Sequence, residues 1–196
     1  HFNPDSSPVE LDERYQEQFD TSGDRLLLGF VGGLQPYKGL DDLAAALDDV
    51  KTECHVVIAG DGPERTGLER ALGNRATFLG AVPYEQIPAF YHQIDALVLP
   101  SHTEGLPRVV LEAQATATPL IATRVGGLPE VVEDGETGLL VEPRSPAQLA
   151  TAIDKLSSDA ALRSQLGEDG RRAVVESYRW ETMYERYEQF LETIVG

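Results

Sequence analysis

Short apolar runs alternate with amphipathic stretches along most of the chain. Between the runs, apolar residues return at helical spacing, as at Leu40, Leu43 and Leu47. Runs closed by glycine or proline are typical of buried strands. This alternation predicts an α/β fold: a Rossmann-like, doubly wound parallel sheet of about six strands, covered by helices on both faces. The six predicted strands lie near residues 25–33, 55–60, 76–80, 94–100, 119–123 and 138–142.

The two ends of the chain differ from this pattern. Residues 1–24 are polar and contain Pro4 and Pro8, which predicts an interdomain linker with one short helix near residues 11–19. Residues 25–196 are predicted to form one domain that closes with three helices, near residues 146–157, 159–176 and 180–195. The last helix carries an apolar stripe, which we interpret as a core or domain-packing face. The stripe comprises Trp180, Met183, Tyr184, Tyr187, Phe190, Leu191 and Ile194.

The charge balance is strongly acidic, with 33 acidic residues against 16 basic residues and a net charge of −17. Such a surface repels nucleic acid and anionic membranes, so we expect neither as a partner. The chain has three lysines, Lys38, Lys51 and Lys155. Acidic excess with scarce lysine suggests a halophile-like protein kept soluble in concentrated salt, where ions screen the self-repulsion.

Compartment signals are few. Cys54 is the single cysteine, which excludes an internal disulfide and is expected to be a small core thiol. A signal peptide and an apolar run of about 18 residues are both lacking, so we expect no membrane span and a cytoplasmic location. The chain starts at His1, from which we expect that it begins within a longer protein.

Parallel sheets of this type bind ligands beyond the carboxyl ends of their strands, so we expect a ligand site at the turns there. The first turn reads VGGLQPYKG and contains Gly32, Gly33 and Lys38. Glycines let backbone N–H groups approach a ligand closely, and a lysine at a helix start adds positive charge. These residues are compatible with a phosphate site. The alternative is an ordinary strand–helix turn with a solvated lysine, which would have the same sequence.

The second turn, GDGPER, begins like a dinucleotide-binding fingerprint. Arg65 stands where the third glycine should be, and the next strand does not end in the acidic residue that ribose recognition needs. We therefore interpret this stretch as a structural turn.

The stretch SHTEGLPRVVLEA sets Glu104 just ahead of a predicted helix and Glu112 within it. Pro107 suits the first helical turn, which leaves backbone N–H groups of Gly105 and Leu106 at the cleft. The neighbours of Glu112 are nearly all apolar, and a carboxylate in that setting requires partners. Carboxylates next to N–H groups suit a ligand with both hydroxyls and phosphates, such as a sugar nucleotide. The alternative is that Glu104 only offsets the helix dipole and that Glu112 is solvated.

Several segments of the chain together resemble one known family. The spacing of Glu104 and Glu112, within PSHTEGLPRVVLEAQATATPLIATRVGGLPEVVEDGETGLLVEP, resembles the nucleotide-sugar-binding C-terminal half of GT-B glycosyltransferases, most of all the retaining group 1 (GT4) family. FVGGLQPYKG and VVIAGDGPERTGLE resemble segments of the same family in the same order. The resemblance implies a donor-binding domain over residues 25–196, preceded by the linker to an N-terminal acceptor-binding domain.

The resemblance also implies roles for the candidate residues. Lys38, a catalytic candidate with Glu104, would bind the diphosphate with N–H groups of Gly32 and Gly33. Glu104 would bind hydroxyls of the transferred hexose with N–H groups of Gly105 and Leu106. Glu112 would bind the ribose, and backbone groups of residues 80–82, including Val82, would meet the base. No metal or other cofactor is implied, and a D-x-D metal pair is not evident.

One position departs from the family. Gly33 stands where the family usually has an arginine that clamps the diphosphate. Arg108 and Arg124 are candidates to compensate, and His102 is a further candidate ligand. The departure supports one alternative, a non-catalytic nucleotide-binding module of the same fold. A second alternative is a GT-B-fold nucleotide-sugar epimerase, which shares the architecture. The EGLPRVVLE segment favours the transferase over the epimerase.

Overall fold

A computed structural model describes residues 10–19, 25–105 and 108–177. Six strands run through these ranges, as the apolar runs predicted. The strands are β1 (Leu26–Val31), β2 (Cys54–Ala59), β3 (Ala76–Gly80), β4 (Ala96–Leu99), β5 (Leu120–Thr123) and β6 (Leu139–Val141). The central strands are almost wholly buried, because helices cover both faces of the sheet.

The strands form one parallel sheet in the order β3-β2-β1-β4-β5-β6. This is the predicted Rossmann-like, doubly wound arrangement. From β1 the chain builds outward to β2 and β3, then returns to place β4 on the other side of β1. The strand order therefore reverses between β1 and β4, and a crevice is expected at this point, beyond the carboxyl ends of the two strands.

The described helices are α1 (Glu13–Gln16), α2 (Leu40–Ala46), α3 (Arg65–Leu72), α4 (Ile87–Tyr91), α5 (Arg108–Ala115), α6 (Leu128–Val131), α7 (Pro146–Ser158) and α8 (Ala160–Ser177). After Pro83 the chain first forms a 3-10 turn over Tyr84–Gln86, and the α-helix α4 starts only at Ile87. Pro88 in the first turn of α4 has no N–H to donate to the residue four positions earlier, which explains the later start. The final predicted helix, residues 180–195, lies outside the described residues.

Residues 10–19, which fall within the predicted linker, pack onto the domain. Leu11, Tyr15 and Phe19 are buried members of the main apolar core. The ring of Phe19 lies edge-on to Phe90 of α4, with 5.8 Å between ring centroids. This segment is therefore held by the same core as the sheet.

The single cysteine and the membrane prediction can also be placed. Cys54 is half-buried at the start of β2, and its burial raises its pKa to about 11, so the thiol stays protonated at neutral pH. Within the described ranges no helix is both long and apolar enough to cross a membrane.

Candidate functional site

The crevice between β1 and β4 is bounded by two loops that approach each other closely. Gly39 follows Lys38 with a left-handed backbone (φ +65°), and a Cβ there would lie 2.0 Å from the carbonyl oxygen of Pro100. The N–H of His102 donates to the carbonyl of Tyr37 at 2.8 Å. Only glycine at position 39 allows this contact, which brings the loop carrying Lys38 against the loop carrying Glu104.

Lys38 and Glu104 form an ion pair across the crevice. Lys38 Nζ lies 2.6 Å from Glu104 Oε1, and the side chains are 16% and 11% exposed. Ser101 Oγ donates to the same oxygen at 2.7 Å. Within the described residues Glu104 Oε2 has no hydrogen-bond partner, so this oxygen is available to a ligand hydroxyl. The structure thus brings together the two residues that the sequence singled out as catalytic candidates.

The loop after β5, which carries Gly126 and Gly127, packs against the backbone of Glu104 and Gly105. Gly126 has φ +53°, and a Cβ on it would lie 1.9 Å from the carbonyl oxygen of Glu104. The N–H of Gly127 donates to the carbonyl of Gly105 at 3.3 Å. Sequence reasoning missed Gly126 and Ser101. The adjacent glycines 126 and 127 after a strand were the available signal for the first, and nothing local marked the second.

Gly32 and Gly33, which follow β1, have different backbone contacts. The N–H of Gly32 donates to the carbonyl of Ala59 at 3.0 Å and so continues the sheet. The N–H of Gly33 has no hydrogen-bond partner within the described residues, which leaves it available to an anion. A Cβ on Gly33 would meet no atom closer than 3.9 Å, so the backbone leaves room for a side chain.

The GDGPER stretch serves packing, as its interpretation as a structural turn requires. A Cβ on Gly60 would lie 1.8 Å from the carbonyl oxygen of Gly32, and one on Gly62 would lie 2.5 Å from that of Leu34. Arg65 binds Asp61 and Glu69 at 3.2 and 2.8 Å. These glycines let the second turn lie against the first.

Glu112 lies on α5 and is 9% exposed. The Tyr84 hydroxyl donates to its Oε1 at 3.2 Å, and the Tyr91 hydroxyl to its Oε2 at 3.3 Å. Burial raises the pKa of Glu112, while the two phenols and the positive charge of Arg108 act in the opposite direction. Glu112 thus has the partners that its apolar neighbours in sequence demanded, and solvation is excluded. Sequence reasoning did not find either tyrosine, because their contacts with Glu112 join distant positions.

The loop predicted to meet a base lies at the end of β3. Gly80 ends that strand with φ +72°, and Val82 is half-buried. The Tyr15 hydroxyl donates to the carbonyl of Ala81 at 3.2 Å, so the docked N-terminal segment fixes one backbone group of the loop.

The remaining candidates are placed as follows. Arg124 binds Asp134 at 2.8 Å and Glu142 at 3.5 Å, so its charge is already engaged. Arg108 is exposed at the start of α5, one turn before Glu112 and on the same helix face. Leu106 lies outside the described residues.

His102 is held beside the crevice by an acidic residue of α2. Its Nε2 lies 2.8 Å from Asp42 Oδ2. Ligand atoms of Asp41, Asp42 and His102 all lie within 4.8 Å of one another. Because Asp42 already binds the imidazole, the geometry gives His102 a structural contact between the loop after β4 and α2.

Comparisons with known proteins agree with this architecture. The family model for glycosyl transferases group 1 matches residues 12–173. The D-inositol 3-phosphate glycosyltransferase of Corynebacterium efficiens is 38% identical over 157 residues, covering 73% of this chain and 37% of that protein. The GDP-mannose-dependent alpha-(1-6)-phosphatidylinositol monomannoside mannosyltransferase of Mycobacterium tuberculosis is 32% identical, covering 97% of this chain and 52% of that protein. The chain therefore spans about half the length, or less, of these relatives.

A solved structure matches almost end to end. The C-terminal domain of a glycosyl transferase group 1 family protein (LpcC) from Francisella tularensis is 30% identical, with a TM-score of 0.73. The match covers 88% of this chain and 95% of that one. The solved structures that the chain resembles are GT-B glycosyltransferases, which confirms the fold predicted from the sequence.

Proposed function

The chain belongs to the glycosyl transferases group 1 family, and we propose that it is the donor-binding half of a retaining hexosyltransferase. It would bind a nucleotide diphosphate sugar in the crevice between β1 and β4. The hexose would pass to an acceptor held by an N-terminal domain of the same protein, in the cytoplasm. The relatives support a nucleotide-sugar substrate, since one of them is GDP-mannose-dependent by name.

The observation that carries this proposal is the ion pair between Lys38 and Glu104. The two side chains are mostly buried and lie 2.6 Å apart. Lys38 supplies a cation, and Glu104 supplies an acceptor for hydroxyl groups, at the same point of the crevice. A sugar diphosphate needs both at the bond between the hexose and the phosphate. When it binds, Lys38 turns to the diphosphate and Glu104 accepts hydrogen bonds from the hexose hydroxyls.

The chemistry follows from where charge develops. Transfer breaks the bond between the anomeric carbon and the diphosphate oxygen, and negative charge accumulates on the leaving diphosphate. Lys38 and the unpartnered N–H of Gly33 stabilise that charge as fixed groups, in a site partly shielded from water. We propose that no metal ion takes part, because these groups supply the positive field.

Arg108 supplies the second positive charge in this proposal. The position of Gly33 lacks the family's arginine, and Arg124 is bound to Asp134 and Glu142. Arg108 lies between Glu104 and Glu112 in sequence and on the face of α5 that carries Glu112. The diphosphate lies between the hexose and the ribose of the ligand, so Arg108 is suited to contact it.

Calorimetric titration of the chain with UDP, GDP, ADP and their sugar conjugates tests the proposal. We expect saturable binding of one diphosphate, weakened by both Lys38→Ala and Glu112→Ala. Lys51→Ala and Glu53→Ala are matched controls, because both residues are exposed just before β2, at the amino ends of the strands and away from the crevice. Binding that is absent from the folded chain in dilute and in concentrated KCl, or unchanged by both site variants, would refute it.

A second candidate is a nucleotide-binding module without transferase activity, and the missing arginine at Gly33 favours it. Steady-state assay of the full-length protein separates the two. Sugar transfer or donor hydrolysis that Glu104→Ala abolishes would exclude the module. Binding without turnover would support it.

A further inference from the structure

The Glu112 carboxylate is bound on both oxygens by phenols. Tyr84 donates to Oε1 at 3.2 Å and Tyr91 to Oε2 at 3.3 Å. Two donors on opposite oxygens fix the rotation of the carboxylate plane. Each carboxylate oxygen can accept more than one hydrogen bond, so both retain capacity for a ligand.

The two phenols differ in setting. Tyr91 is 1% exposed, and its hydroxyl also lies 3.2 Å from the carbonyl of Val109, so its single hydrogen is shared between two acceptors. Tyr84 is 48% exposed and stands at the rim, directly after the loop of residues 80–82. Tyr84 is therefore the donor on the ligand side, and Tyr91 the donor on the core side.

Resting on the function proposed above, we propose that Tyr84 and Tyr91 are positioning residues that orient the Glu112 carboxylate toward the ribose hydroxyls, with Oε1 on the ligand side. Tyr84 then sets the preference for ribose over 2′-deoxyribose. A freely rotating carboxylate would meet one hydroxyl well and the other poorly. A phenol suits the task because it donates a hydrogen bond without neutralising the acceptor, as a lysine or arginine would.

Burial makes this support necessary. A carboxylate that is 9% exposed tends to take up a proton, and a protonated Glu112 would lose part of its capacity to accept hydrogen bonds. Both phenols favour the ionised form, against the effect of burial. Removing the Tyr84 hydroxyl therefore weakens both the orientation and the ionisation of Glu112.

The test compares ribose and 2′-deoxyribose forms of the nucleoside diphosphate that the wild-type chain binds best among UDP, GDP and ADP. We expect Tyr84→Phe to weaken binding of the ribose form about tenfold, because a misoriented Glu112 loses its hydrogen bond from the 2′-hydroxyl, a bond to a charged group. The 2′-deoxy form should change far less, so the preference for ribose falls. Glu53→Gln is the control, because Glu53 is an exposed residue just before β2, at the amino ends of the strands and away from the crevice. An equal loss for both sugars, or no loss for either, would overturn the proposal.

A second measurement needs no nucleotide. The carboxyl resonance of Glu112, identified by its absence in Glu112→Gln, is followed by carbon NMR through a pH titration. Tyr84→Phe should raise the pKa of Glu112 further, and an unchanged pKa would overturn the positioning role. If the wild-type chain binds no nucleotide, the proposed function fails, whereas the hold of Tyr84 on Glu112 is still decided by this titration.

Discussion

At the scale of single residues, Glu112 combines two opposing influences. Burial raises its pKa above the ordinary value of 4.5, and hydrogen bonds from Tyr84 and Tyr91 lower it without cancelling the effect. The folded state therefore holds a proton on Glu112 more tightly than the unfolded state. The stability that comes from the protonated form is fully present below pH 4.5 and is lost as pH rises through the raised pKa. A largely buried carboxylate with a raised pKa beside a crevice is a candidate ligand-binding group.

Replacing Glu112 by Gln tests that balance. As pH rises through the raised pKa of Glu112, the wild type loses stability when Glu112 ionises, whereas the variant cannot ionise. The free energy of unfolding of the variant should therefore increase relative to that of the wild type. Nucleotide binding should fall about tenfold or more at neutral pH, because one charged acceptor is lost. Urea denaturation over a pH series and calorimetric titration measure the two effects. Glu53→Gln is the exposed control, and a stability difference that does not vary with pH would contradict the prediction.

Gly33→Arg is expected to strengthen binding of a nucleoside diphosphate about tenfold, by restoring one charge-assisted contact. The fold should accept the change, because a Cβ at this position meets no atom closer than 3.9 Å. The gain should be larger in an Arg108→Ala background, if Arg108 supplies the second cation. Titration with nucleoside mono- and diphosphates measures it. Gly67→Arg, where a Cβ would meet nothing within 4 Å, controls for added charge, and an equal gain there would contradict a local effect.

At the scale of elements, the site is made where three loops meet. The loops after β1, β4 and β5 touch through backbone at Gly39 and Gly126, where any side chain would collide with a carbonyl. The side chains of Lys38 and Glu104 can form their ion pair because the loops that carry them are in contact. The N-terminal segment of residues 10–19 adds a further contact, through Tyr15 to the loop of residues 80–82.

Phe19→Ala tests whether that segment is part of the domain. Phe19 is 7% exposed and lies edge-on to Phe90. Truncating a buried phenylalanine costs about 3–5 kcal/mol in the free energy of unfolding. Urea denaturation of the chain measures the loss, with the exposed Tyr37→Ala as control. A change below about 0.5 kcal/mol, as is usual for exposed positions, would mean that the segment does not contribute to the fold.

At the scale of the whole molecule, the net charge of −17 opposes compaction. Ion pairs leave this net charge unchanged and add little stability, since those in the described residues lie mostly on the surface. The scarcity of lysine, with Lys38 placed in the crevice, is consistent with the hypothesis of a protein adapted to concentrated salt.

Molar KCl should raise the melting temperature of the chain relative to dilute buffer. At about 1 M salt the Debye length is ~3 Å, so repulsion among exposed carboxylates is nearly removed. Differential scanning calorimetry across a KCl series measures the shift, with an uncharged osmolyte at matched osmolality as the control for solvent exclusion. A melting temperature that does not rise would end the hypothesis of salt adaptation.

Local patterns predicted most of the architecture and part of the site. The apolar runs located all six strands, because burial on both faces demands continuous apolar residues. Element ends were less well predicted. Helix α2 ends at Ala46, one residue before Leu47, the last of its three spaced leucines. The apolar setting of Glu112 indicated that it had partners, but it did not indicate which ones.

The sequence by itself determined the strand and helix periodicity, hence the parallel sheet, and the family. It also predicted that ligands bind at the carboxyl ends of the strands. Only the tertiary structure decided that Lys38 meets Glu104 and that Tyr84 and Tyr91 bind Glu112. It also decided that Arg124 is engaged elsewhere and that residues 10–19 belong to the core. Periodicity is a property of neighbouring residues and can be seen along the chain. Contacts between polar side chains depend instead on how loops far apart in sequence approach, and strand order together with close glycine contacts sets that approach.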